Sequence, residues 1–156
     1  MNIVVIYRQN FKNFIKLLFF FYLIALCYVL FFISTRVDTY NNINLIPLRT
    51  IRLYINYFDY FTFSIWFLNI FGNILLFIPF GCLLPLISKI NRFWSVLLVS
   101  LITICTAEIM QHLFMVGELD VDDIILNTIG VIIGYLFYKF LRYLVVNRLK
   151  NKISII

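Results

Sequence analysis

The sequence predicts an all-α integral membrane bundle of four transmembrane helices, with an extracellular amphipathic segment between helices one and two. Three observations carry this prediction. Hydrophobic residues fill 63% of the 156 positions, against roughly 45–50% in soluble domains, and mean hydropathy is +0.99. Four apolar runs, each near the ~20 residues a helix needs to cross hydrocarbon, are separated by polar or charged stretches. The basic surplus, a net charge of +6 from 13 basic and 7 acidic residues, collects at alternate ends of those runs, as cytoplasmic ends do. The length suits one domain. Nucleic acid is not an expected partner, because the basic residues mark membrane ends instead of forming one patch.

Residues 1–16 carry Arg8, Lys12 and Lys16 and read as a basic cytoplasmic N-terminus. The first span, about residues 17–33, holds no charge. It ends in Phe-Phe-Ile rather than in the small residues that precede a signal cleavage site, so it reads as a retained helix.

Residues 34–64 are polar enough to leave the membrane. Within them Leu48, Ile51, Ile55 and Phe58 recur at helical spacing, with Arg49, Arg52, Asn56 and Asp59 one step on. That is an amphipathic helix lying on the lipid surface or over the bundle, with Pro47 suited to its first turn.

The second span, about residues 65–87, carries Asn69 and Asn73 early and Pro79, Gly81 and Pro85 late, where proline is expected to kink or break it. Lys89 and Arg92 occupy a tight turn. The third span runs over about residues 94–115, followed by the acidic connection Gly117–Asp123 and a fourth span over about 124–146. The tail, residues 147–156, is basic again. The membrane domain is therefore 17–146, with both termini cytoplasmic. Cys27, Cys82 and Cys105 lie singly in apolar runs and read as small packing residues.

The unusual feature is the polarity of Ala107–Gly134. Glu108, Gln111, His112, Glu118, Asp120, Asp122, Asp123 and Asn127 interrupt membrane sequence, and each charge in hydrocarbon costs on the order of a few kcal/mol. Glu108 comes 14 residues after Trp94, which puts it about 21 Å up a core of about 30 Å. Asn73 and Asn127 fall in the same outer half. Glu108, Gln111, His112 and Met115 share a helical face, as do Asn69 with Asn73, and Asp120, Asp123, Asn127, Gly130 and Gly134. The candidate site is therefore an outward-facing polar pocket of Glu108, Asn69, Asn73, Gln111, His112, Asp120, Asp123 and Asn127. Arg49 or Arg52 would fold down as counter-ion to Glu108, with Arg36 the remaining outer basic residue. Asp120 and Asp123 also suit the N-terminus of span four, and Gly130-x-x-x-Gly134 is a close-packing device.

The stretches Asn44-Leu45-Ile46-Pro47, Asn69-x-x-x-Asn73-x-x-x-Phe77-x-Pro79-x-Gly81, Glu108-x-x-Gln111 and Asp120-x-x-Asp123-x-x-x-Asn127-x-x-Gly130 resemble the VanZ-like family of small bacterial membrane proteins, over about residues 44–138. The resemblance implies a cell-envelope protein. The family's named member is linked to teicoplanin resistance by a route independent of the precursor's terminal dipeptide. Many relatives carry a basic residue near the position of Glu118, which is acidic here.

Three functions follow as expectations. The first is binding or shielding of envelope lipids, including lipid-linked cell-wall precursors, through the pocket. The second is an enzyme acting on a lipid headgroup, with Glu108 as acid or base and Asp120/Asp123 offering oxygen ligands to a divalent cation. The third is a subunit of a small-solute transporter, which would require a homo-oligomer. No cofactor motif is present, and no nucleophile motif or paired-His zinc motif singles out the enzyme.

Overall fold

The computed structural model describes residues 3–33 and 43–153, with side chains over 9–33 and 43–148. Arg36 and the side chains of Arg8, Lys150 and Lys152 lie outside the described residues. Four helices are long and apolar enough to cross a membrane, at Gln9–Ile33, Phe63–Ile87, Phe93–Leu113 and Val121–Arg148.

The first helix starts at Ile3, well before the apolar run, and continues to Tyr28 before widening into a π-helical turn, Val29–Ile33. Hydrocarbon offers no hydrogen bonds, so an uninterrupted apolar run pairs its backbone within itself. Leu26 and Leu30 face the bundle, whereas Phe20, Phe21, Ile24 and Phe32 face outward, where lipid lies.

The second span departs from expectation. It is not broken at its prolines: Asn73–Ile87 is one helix containing Pro79 and Pro85. Its irregular turn lies earlier, a π-helical stretch at Leu68–Gly72. The Tyr22 hydroxyl of the first span donates to the Leu76 carbonyl at 2.7 Å, in the turn before Pro79.

The third span buries one stripe, Val96, Ser100, Ile104, Glu108 and Gln111, the i, i+4 spacing of a single helix face. It ends two residues earlier than expected, at Leu113. Val116 N–H bonds the Gln111 carbonyl and Met115 N–H the His112 carbonyl, with Met115 left-handed at φ 57°. This is a Schellman closure in which Met fills the usual glycine position. Met115 is therefore turned away from the Glu108 face and is exposed.

The fourth helix begins at Val121, three residues earlier than expected, and runs to Ile153. It packs parallel to the second span at backbone distance. A Cβ built on Gly130 would lie 2.2 Å from the Ile74 carbonyl oxygen, one on Gly134 2.0 Å from that of Ile78, and one on Gly81 2.1 Å from that of Val131. The small-residue spacing thus joins spans two and four, as close membrane packing requires. Around this seam lie Phe77, Phe80, Ile104, Val131, Tyr135 and Tyr138.

At the end of the bundle where spans two and four begin, two-residue strands β1 (Ile43–Asn44) and β2 (Leu119–Asp120) pair in parallel, Ile43 with Leu119 and Asn44 with Asp120. The surface helix follows at Arg49–Asn56. Pro47 lies ahead of it, outside its first turn. Leu48 is its N-cap residue, in a left-handed conformation at φ 65°.

Candidate functional site

Two polar groups sit at this end. The first is a clasp. Asp120 ends β2 and caps the fourth helix: its Oδ1 accepts the Asp122 N–H at 2.9 Å, the geometry of an N-cap. The same carboxylate takes the Asn44 amide on Oδ1 at 2.9 Å and the Thr50 hydroxyl on Oδ2 at 2.6 Å. Asn44 Nδ2 also reaches Thr50 Oγ1 at 3.1 Å, and its Oδ1 accepts Ile46 N–H at 3.2 Å.

Asp122 points the other way and serves the surface helix. Its Oδ1 accepts Leu48 N–H at 2.5 Å, and its Oδ2 accepts Thr50 N–H at 2.7 Å and Ile51 N–H at 3.1 Å. These are orphan donors of the first turn, and an anion there also meets the positive end of the helix dipole. Asp122 is 0% exposed, so the carboxylate is matched by donors rather than by water. The notched run Asp120-Val121-Asp122-Asp123 therefore fastens the segment after span one to the start of span four.

The second group lies inside the bundle. Asn73 Nδ2 of the second span donates to Asp123 Oδ1 of the fourth at 2.6 Å and to the Asn69 carbonyl at 3.1 Å. Asn127 follows Asp123 by one turn on the same buried face and is 2% exposed. Its Oδ1 is buried with no hydrogen-bond partner among the described residues. Glu108 is 4% exposed and sits five residues before the end of span three, about 8 Å from it. Asn127 lies six residues, about 9 Å, inside span four, at a matching depth. One turn beyond Glu108, Gln111 Nε2 donates to the Leu30 carbonyl at 2.8 Å, within the π-helical turn of the first span. Two hydrogen bonds thus join spans at this end, Asn73 of the second with Asp123 of the fourth and Gln111 of the third with Leu30 of the first.

The remaining candidates have plainer positions. The Asn69 amide bonds its own helix at the Ile65 carbonyl, 2.8 Å away. His112 is partly buried. Arg49 and Arg52 are exposed on the surface helix. For a divalent cation at Asp120 and Asp123, both Asp120 oxygens already take strong donors. No group of three His, Cys, Asp or Glu side chains suited to a metal occurs among the described residues. Asn44, Thr50 and Asp122, which organise the clasp, were not among the sequence candidates. The only signal for Asp122 was its place in an acidic run before a helix.

The comparisons agree with this architecture. A model of the VanZ/LLP1 family matches residues 19–142. Protein VanZ of Enterococcus faecium is 38% identical over 76 residues, covering 46% of this chain and 45% of that protein. The aligned stretch thus spans under half of that relative. No solved structure matches the chain. A match over most of the length, on a four-span bundle, leads to one conclusion: the chain belongs to the VanZ/LLP1 family.

Proposed function

We propose that this protein binds the polar headgroup of an envelope lipid, such as a lipid-linked wall precursor, through the layer of Asn73, Glu108, Asp123 and Asn127, and thereby alters access of glycopeptide antibiotics of the teicoplanin type. The observation that carries this reading is the Asn73–Asp123 bond, which brings amide and acid groups of separate spans together; Asn127, one turn after Asp123, and Glu108 of the third span are buried as well. Buried polar groups in hydrocarbon are costly and mark sites in membrane proteins. The basic ends at Lys12/Lys16, Lys89/Arg92 and Lys139/Arg142 support a cytoplasmic placement of both termini. The polar layer and the surface helix would then face outward, with Arg49 and Arg52 available to headgroup phosphates.

Susceptibility to teicoplanin tests the reading in a sensitive host expressing the wild-type chain, Glu108→Gln, or an empty vector. The wild-type chain is expected to raise the inhibitory concentration and Glu108→Gln, at equal expression, to lower it again. Equal susceptibility of all three would overturn the proposal.

A further inference from the structure

We infer that Asn127 reads hydrogen-bond donors on the headgroup, so that the site takes lipids ending in N–H or O–H groups over lipids of the same charge that lack them. This rests on the headgroup reading above. The starting point is the Asn127 carbonyl, an acceptor buried without a partner among the described residues. In hydrocarbon such an acceptor is costly, and a donor supplied by an occupant removes that cost.

The surroundings fix what kind of donor. Helical side chains lean toward the N-terminus of their helix, so Asn127 leans toward Asp123, one turn before it. Glu108 lies at matching depth on span three. The Asp123 carboxylate already accepts from Asn73, and carboxylate oxygens favour a donor group over the acceptor-only oxygens of a phosphate. The portion of a lipid that fits beside them is a neutral or cationic donor group, an ammonium or a hydroxyl. A quaternary ammonium carries the same charge but no N–H. Asn73 and His112 are only partly buried.

Phosphatidylethanolamine and phosphatidylcholine separate the two properties, because both are zwitterionic and only the first has N–H donors. The full chain is reconstituted in nanodiscs holding equal amounts of the two, and the retained lipid is counted by native mass spectrometry. The wild type is expected to retain phosphatidylethanolamine roughly fivefold over phosphatidylcholine, the effect of one net hydrogen bond. Asn127→Leu is expected to bring the ratio to about one, and Asn127→Asp, which keeps the acceptor, to preserve it. If the leucine variant does not fold, the wild-type ratio and the aspartate variant decide. Equal retention by the wild type overturns the inference, even where an ordered water is found on Asn127. The headgroup reading survives that result if retention of both lipids still falls in Glu108→Gln. No retained lipid of either kind overturns both.

Discussion

The Asn73 amide donates to the Asp123 carboxylate at 2.6 Å, joining the second and fourth spans across 50 residues of sequence. Interhelical hydrogen bonds inside membranes couple by about 0.6 kcal/mol on average and up to about 1.7, and a charged acceptor belongs at the upper end. A double-mutant cycle of Asn73→Ala and Asp123→Ala, followed by unfolding in detergent, is expected to give a coupling of about 1–1.7 kcal/mol. Additive losses would show that the contact contributes nothing of its own.

The glycine seam gives a sharper stability prediction. Gly130→Ala or Gly134→Ala drives a methyl group onto a backbone carbonyl of the second span, which cannot turn aside as a side chain does. Each substitution is expected to cost about 1–3 kcal/mol, seen as a lower unfolding temperature. Gly72→Ala is the control: its Cβ would meet nothing within 4 Å, and its effect is expected to be small.

Asp122 holds the surface helix from a distance. Asp122→Ala removes the acceptor of the Leu48, Thr50 and Ile51 N–H groups, a loss of helix capping of about 0.5–2 kcal/mol. Hydrogen exchange over residues 48–56 is expected to accelerate while the spans keep their protection. Unchanged exchange there would mean that the helix stays docked without this carboxylate.

Met115 offers a stabilising change. A left-handed conformation costs a side-chain-bearing residue roughly 1–2 kcal/mol, and Met115 adopts it at φ 57°. Met115→Gly is expected to raise stability by up to about 1 kcal/mol, less than the strain because glycine also loosens the unfolded chain. Thermal unfolding in detergent measures the shift.

What the sequence made legible was the part written in periodicity. The four spans follow from apolar run length, and of the polar faces read from helical spacing Glu108 and Gln111 on span three and Asp120, Asp123 and Asn127 on span four are buried, whereas Met115 is exposed. The clasp was not legible. Asn44 meets Asp120 across 76 residues and Asp122 meets Thr50 across 72, and a two-residue ladder leaves no local pattern. Pro79 and Pro85 do not end the second span, and no local pattern in the sequence marks that tolerance. Leu48 and Met115 gave no warning of positive φ, since neither is the glycine or asparagine that usually signals it.

A structure of the protein in native envelope lipid decides whether the layer between Asn73, Glu108 and Asn127 receives a lipid headgroup. Ordered headgroup density is expected within hydrogen-bonding distance of Asn127 and Glu108. A layer filled only by protein atoms, with lipid confined to the outer apolar faces, would contradict it.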